Sequence, residues 1–336
     1  MSNRRPSACV PVLSRPRFGV AGSIVLVAGL AGVRAAAAAD EWVMARSPNF
    51  VVVSDAGEKR ARQVARQFEV LRELFQSVLG ARVDPPRPLV VLAVKDEAGL
   101  RRLLPRHFKV KGGMRPAGIF VAGGDIHHIA LRLDIEGEHP YHVIYHEYVH
   151  LLVRLNFHDA PIWLNEGLAE FYAGTDVDDA EVRFGRLMPW HLQVLRSHTM
   201  LSIQKLLAVD WSSPEYNEAD RVSVFYAQAA ALTHYFLLAE RGAHRPALAQ
   251  YLTLLRQGTP EAEAQQRALG SLEKLEGDFS RYVRSFQFFM LKVPLKAEPQ
   301  PTVVHVLTEA EALATRGQSS STIAAWPRPA RPPTRR

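Results

Sequence analysis

The chain of 336 residues is 47% hydrophobic and 22% charged, which is typical of a folded protein with room for one domain and additional helices. Its formal charge of +7 comes from its ends, because every charged residue before Asp40 or after Gly317 is an arginine. The part between is close to neutral, which excludes a strongly basic nucleic-acid-binding surface. The single cysteine, Cys9, lies before Asp40, so the rest of the chain has no disulfide and no cysteine metal ligand.

Residues 1–39 have the form of a signal peptide. Arginines precede an apolar run over 18–33, and small residues at 35–39 offer a cleavage site before Asp40. The run is short for a membrane span, and no cysteine follows it that a lipid could modify. The segment predicts export to a bacterial periplasm or secretion, with no stable membrane span after cleavage. An uncleaved segment would instead anchor the protein to the membrane.

The next segments predict a small mixed sheet. Strands are predicted at 50–54 and 88–94, and a hairpin at 117–121 and 126–133. Helices are predicted at 58–79 and 97–104. His127 and His128 are adjacent on a strand, so they point to opposite sheet faces and cannot easily share one metal. Surface positions are predicted for both.

A helix over 141–156 carries the most informative polar residues of the chain. His146 and His150 are four positions apart, so they lie on one helix face and can bind one metal ion. Glu147 stands beside them, where a general base for a bound water belongs. The pattern HExxH is a zinc signature of metalloproteases. A water-facing helix is the alternative, but most of the neighbouring positions are apolar.

A second helix begins near Pro161 and carries Glu166 and Glu170 on one face. We assign Glu166 to the metal and Glu170 to a hydrogen bond with a ligand histidine; spacing alone leaves the reverse assignment open. Two imidazoles, one carboxylate and an open fourth position are typical of a catalytic zinc site, with one Zn²⁺ per chain.

The second half of the chain is predicted to be largely helical. The predictions are a strand at 181–184 and helices from 190 and at 222–240, 245–255, 260–269 and 272–286. Residues 297–336, rich in proline, serine and arginine, predict a disordered tail with a short helix near 308–316. The predicted organisation is a signal peptide (1–39), a catalytic domain (40–296) and this tail.

The segments HEYVH, from His146, and WLNEG, from Trp163, resemble the gluzincin zinc metallopeptidases, in particular the aminopeptidase-N-like clan and the bacterial peptidase MA-like domains. The resemblance implies a zincin-like domain with a twisted sheet over the HExxH helix and an edge strand that binds extended peptide. It implies that Glu166 is the third zinc ligand, although the loop before it is slightly shorter than in those enzymes. It also implies that Tyr226, near the start of a later helix, hydrogen-bonds the oxyanion. A core aromatic is the alternative for Tyr226.

The sequence thus predicts an exported zinc peptidase in which Glu147 activates a zinc-bound water and Tyr226 stabilises the oxyanion. The G-x-M-E-N segment with which aminopeptidases of the clan hold a free amine is missing upstream of His146, which favours an endopeptidase. The predicted partner is a peptide or protein substrate, without nucleic acid, and the sequence determines no oligomeric state. Two alternatives remain: a zinc hydrolase of a non-peptide amide or ester, and a zinc-stabilised module that binds peptides without turnover.

Overall fold

A computed structural model describes residues 41–109, 116–137, 139–178, 180–295 and 300–325. The predicted signal peptide and residues 297–299 and 326–336 of the predicted tail lie outside these ranges. Within them, a mixed six-stranded sheet is followed by a largely helical half, which confirms the predicted α+β class. No helix in the described ranges is both long and apolar enough to cross a membrane.

The strands form two sheets. They are β1 (Val43–Arg46), β2 (Val51–Ser54), β3 (Leu89–Val94), β4 (Gly118–Val121), β5 (His127–Arg132), β6 (Asp176–Val177), β7 (Glu181–Phe184), β8 (Leu291–Pro294) and β9 (Val303–Val306). The large sheet has the order β4-β5-β3-β2-β1-β9, and the small sheet has the order β6-β7-β8. Strands β2, β3 and β5 run parallel, whereas β1, β4 and β9 are antiparallel to their neighbours. The edges of the large sheet are therefore β4 and β9.

The helices surround this sheet and fill the second half. They are α1 (Glu58–Glu73), α2 (Glu97–Leu103), α3 (His142–Asn156), α4 (Ile162–Ala173), α5 (Pro189–Ser197), α6 (Ile203–Leu207), α7 (Pro214–Asn217), α8 (Ala219–Leu238), α9 (Arg245–Arg256), α10 (Glu261–Leu269), α11 (Leu272–Ser285) and α12 (Glu309–Ala325). A π-helical turn over Leu74–Val78 extends α1 to nearly the predicted length. The short helices α6 and α7 have no counterpart among the predictions.

Both faces of the large sheet are covered, and the sequence of β3 is consistent with burial on both faces. Its side chains alternate between two cores: Val91 and Ala93 pack with α1 and α3, whereas Leu92 and Val94 pack with α2 and α12. A strand buried on both faces needs a near-continuous apolar run, and residues 89–94 read Leu-Val-Val-Leu-Ala-Val.

The prediction of a disordered tail from 297 is wrong for residues 300–325. Strand β9 pairs with β1 and completes the large sheet, with Val306 opposite Val43. Helix α12 then begins with a reciprocal cap: the Glu311 carboxylate accepts from the Thr308 backbone N–H, and the Thr308 hydroxyl accepts from the Glu311 N–H. The predicted domain boundary at 296 therefore falls inside the folded unit. Proline content suggested disorder, but the open edge of β1 stabilises this segment.

Helices α3, α4 and α8 pack in sequence beside the sheet and position the site. Helix α3 is apolar on nearly all sides because it lies between the sheet and α4. Helix α4 approaches α8 closely at Gly167, where a Cβ atom would lie 2.1 Å from Thr233 Oγ1 and 2.5 Å from the Ala229 carbonyl oxygen. The glycine of the WLNEG segment thus allows the close packing that brings Tyr226 of α8 near α3.

Candidate metal centre

Three side chains from α3 and α4 converge on one point, as predicted. The Nε2 atoms of His146 and His150 lie 3.0 Å apart, and each lies 3.5 Å from Glu166 Oε2. A tetrahedral zinc ion with bonds of about 2.0–2.1 Å separates its ligand atoms by about 3.3 Å, so these spacings fit one ion. Glu166 is 2% exposed, and its Oε2 atom has no hydrogen-bond partner among the described residues. A buried carboxylate oxygen between two imidazoles is suited to a metal.

A relay of hydrogen bonds determines which nitrogen of His146 faces the donor set. The Met188 backbone N–H donates to His191 Nδ1, so His191 Nε2 carries a proton, which it donates to Glu170 Oε2 at 3.0 Å. The other oxygen of Glu170 lies 3.3 Å from His146 Nδ1 and can accept its proton. In its neutral form, His146 therefore presents an unprotonated Nε2 to the candidate metal position. Glu170 occupies the predicted place beside a ligand histidine, and His191 is an addition from the structure.

His150 is oriented by Asn165, the asparagine of the WLNEG segment. Its Nδ1 atom lies 3.2 Å from Asn165 Oδ1, so the amide oxygen accepts the Nδ1 proton and leaves Nε2 free. Each histidine thus has a hydrogen-bond acceptor behind it, supplied by α4. The sequence analysis gave Asn165 no role, although its place directly before Glu166 puts it next to the site.

The charged side chains of the site stabilise one another's ionised forms, which offsets the cost of burying them. Burial opposes ionisation of Glu166, but His150 and His146 outweigh it and hold its pKa below the usual value. Burial is likewise outweighed at Glu170, whose pKa is lowered by His146 and His191. At His146, burial opposes the charged form, while Glu170 and Glu166 raise the pKa well above its usual value. A proton would therefore compete with any metal ion for His146, so that a bound metal would be held less tightly as the pH is lowered.

Glu147 lies next to the three donors and under edge strand β4. It is buried, and it accepts a hydrogen bond from the Phe120 backbone N–H of that strand. A Cβ atom at Gly118 would lie 2.8 Å from Glu147 Cγ, so the glycine permits strand and carboxylate to touch. Burial raises the pKa of Glu147, although His146 and His150 partly oppose this. The raised pKa brings the carboxylate closer to the range in which it can both take and return a proton.

Tyr216 of α7 holds the far side of Glu166. Its hydroxyl donates to Glu166 Oε1 at 2.9 Å, so only Oε2 is directed at the histidines. Burial and the nearby Glu166 charge raise the pKa of Tyr216 well above its usual value, which keeps the hydroxyl protonated. The sequence analysis missed Tyr216, because it lies in a four-residue helix with no periodic pattern.

Tyr226 lies at the same site, but its hydroxyl is shared. Its ring stacks on Tyr216 with centroids 6.2 Å apart, lies 6.2 Å from the His146 ring, and its side chain hydrogen-bonds Tyr216. Burial and then Glu166 raise its pKa, so it too remains protonated. Tyr226 is therefore adjacent to the donor set, next to a second tyrosine that the sequence did not indicate.

The two histidines of β5 lie differently from the predictions. His127 and His128 are buried, at 3% and 1% exposure, because both faces of β5 are covered. Their predicted surface positions are therefore wrong. His142, one turn before His146, is half-buried and directs Nδ1 to the His139 carbonyl oxygen. None of the three belongs to the donor set.

No family model matches the chain, and a search of curated proteins finds no related sequence. Fold and side-chain geometry therefore define the class: an α+β protein with a His146/His150/Glu166 cluster that could hold one metal ion.

Proposed function

We propose that this protein is an exported zinc-dependent peptidase of the gluzincin type that cleaves internal peptide bonds. The position of Glu147 carries the proposal: it is buried between a His/His/Glu donor set and an edge strand. A site that only stabilises a fold is closed by four protein ligands, whereas three ligands with a carboxylate beside them are typical of catalytic zinc. The three donors supply nitrogen and oxygen atoms at separations that fit zinc.

Each residue then has a separate task. A zinc ion held by His146, His150 and Glu166 would lower the pKa of a water molecule and polarise the scissile carbonyl. Glu147 takes the proton of the attacking water and returns it to the leaving amine. Glu170 and Asn165 hold the two imidazoles in the orientation that presents Nε2.

Edge strand β4 supports a peptide as the substrate. It has no strand neighbour on its outer side in the described sheet, and Gly118 keeps it in contact with Glu147. An extended peptide that added to this edge would form backbone hydrogen bonds at every second residue and would pass the base. A substrate without a peptide backbone would not use this edge, which is why we favour a peptidase over another amide or ester hydrolase.

The proposed function is tested with purified protein that is stripped with a chelator and then reloaded with one equivalent of zinc. We expect only the reloaded protein to cleave a degenerate peptide library, at internal bonds that mass spectrometry can map. Acetylated peptides should be cleaved as well as peptides with a free amine, since no amine-binding segment precedes His146. Zinc-loaded protein that cleaves no peptide but hydrolyses simple esters or non-peptide amides would establish the alternative hydrolase.

The two tyrosines of the site are expected to differ in what their hydroxyls do. Tyr226→Phe should lower turnover by about a hundred- to a thousandfold, the usual cost of one oxyanion donor, with little change in zinc affinity. Tyr216→Phe frees Glu166 Oε1 and should weaken zinc binding by about ten- to a hundredfold. Steady-state kinetics and competition with a zinc chelator measure the two effects on both variants.

Each variant is the control for the other, because both remove one hydroxyl from the same stacked pair. If Tyr226→Phe retains full turnover and Tyr216→Phe loses it at saturating zinc, Tyr216 is the oxyanion donor. In that case Tyr226 is a packing residue.

A further inference from the structure

An open pocket of about 320 Å³ lies where the C-terminal part of α3 meets the start of β5. Its polar lining comes from three arginines and two histidines: Arg82, Arg87, Arg154, His127 and His158. Leu151 and Leu155 of α3 supply an apolar wall. No carboxylate lines it, so the pocket is positively charged with an apolar side.

The arginines of this pocket have no counter-charge. Arg82, Arg87 and Arg154 are exposed, and their side chains form no ion pair or hydrogen bond within the described ranges. Asp159 lies 3.1 Å from His158 at the exposed rim. Other exposed arginines of the first half, such as Arg62 and Arg101, do have carboxylate partners. Three unpaired guanidinium groups at one pocket favour an anionic ligand.

His127 adds a buried polar group to the same pocket. It is 3% exposed, and its Nδ1 atom is buried without a hydrogen-bond partner in the described part of the chain. Burial, followed by the charges of Arg154 and Arg87, lowers the pKa of His127, so the ring is neutral. A buried polar atom without a partner costs free energy.

The pocket lies close to the metal centre along α3. Arg154 follows His146 and His150 in steps of four residues, so it lies about 6 Å further along the helix axis than His150. The ring of His127 packs on Phe120, with centroids 5.8 Å apart, and the Phe120 backbone N–H is bonded to Glu147. Phe120 of edge strand β4 therefore contacts both the general base and a lining residue of the pocket.

We propose that this pocket binds a carboxylate of the peptide substrate, so that the enzyme selects an acidic residue or a chain end near the scissile bond. The proposal rests on the proposed peptidase function for the nature of the ligand. At about 3.3 Å per extended residue, the pocket lies about two to four residues from the metal position. Arg154 and Arg87 would bind the carboxylate, beside the neutral ring of His127.

The test measures binding, so it does not depend on turnover. Zinc-loaded Glu147→Gln protein is titrated against labelled peptide pools that carry one fixed Glu or Gln in a degenerate neutral background. A second pair of pools ends in a free carboxylate or in an amide. Anisotropy should show tighter binding of at least one acidic pool, by about tenfold for each charged contact. The pool that responds identifies a side chain or a chain end as the source of the carboxylate.

Substitution then locates the preference. Adding Arg87→Gln and Arg154→Gln should remove the acidic preference and leave binding of the neutral pools within about twofold. Arg256→Gln, an exposed arginine of α9 without an ion pair, is the control and should keep the preference. Equal binding of acidic and neutral pools, or an equal loss for both in the double variant, overturns the proposal. If the zinc-loaded parent protein cleaves no peptide but the acidic preference is observed, the peptidase function is refuted and the assignment of the pocket to an anionic ligand stands.

Discussion

Glu147→Gln is expected to abolish most hydrolysis and to leave the fold and the metal content unchanged. The amide has the size of the carboxylate but cannot take a proton from water, and general-base catalysis typically contributes about a hundred- to ten-thousandfold. The donors His146, His150 and Glu166 are untouched. Turnover of a cleaved library peptide, measured beside zinc content by mass spectrometry, checks both halves of the prediction.

The thermal stability of this variant separates a catalytic from a structural role. Burial raises the pKa of Glu147, so ionisation of this group opposes folding. The protonated carboxyl favours the folded state, and this contribution to stability is lost as the pH rises through the raised pKa. The neutral amide removes this penalty and keeps an acceptor for the Phe120 N–H. We therefore expect an unchanged or higher Tm at neutral pH. Full activity in the variant would refute the mechanism, and a lowered Tm with lost zinc would show that Glu147 supports the metal centre.

His146→Ala, His150→Ala and Glu166→Ala are each expected to lose tight zinc binding. Each removes one of three donor atoms that lie within 3.5 Å of one another, and no other described residue is placed to replace it. The loss should exceed the roughly ten- to hundredfold that follows removal of a group behind a ligand. Competition against a chelator of known affinity, at fixed pH, gives the zinc dissociation constants.

Glu170→Ala is the graded comparison for these variants. Glu170 lies behind His146 rather than in the donor set, so its removal should cost about ten- to a hundredfold in zinc affinity. His198→Ala, an exposed histidine of no assigned role, should bind zinc like the parent. If Glu170→Ala alone empties the site, the roles of Glu166 and Glu170 are reversed. Zinc retained in stoichiometric amount by the double variant of His146 and His150 would remove the assignment altogether.

The candidate metal centre could be predicted because its parts follow helical spacing. His146 and His150 are one turn apart, as are Glu166 and Glu170, so a short connection between two helices suffices to bring the four together. Tyr216 could not be predicted, because it reaches Glu166 from a four-residue helix that only tertiary packing positions. Asn165 was visible in the motif, but its contact with His150 depends on the angle between α3 and α4.

Strands with a clear apolar pattern in their own sequence were predicted. Strands that depend on pairing with a neighbouring strand were missed. Strand β3 is apolar throughout and was found within one residue. Strands β1 and β9 have four residues each and stabilise one another across the sheet edge. The burial of His128 was missed for a related reason, since the face of β5 that it shares with Ala130 is covered by α2 and by the C-terminal segment. The local sequence pattern of a strand cannot predict its contacts with a segment from the far end of the chain.

The pairing of β1 with β9 also has a consequence for the order of folding. The two strands come from opposite ends of the described chain, so their contact closes a loop that contains the other strands and eleven of its helices. Such a contact is costly in chain entropy and gains little until the intervening helices have packed. The edge of β1 is consequently the last part of the large sheet to be covered during folding. Until then it is an exposed strand edge with mostly apolar side chains. Partly folded chains aggregate through such edges.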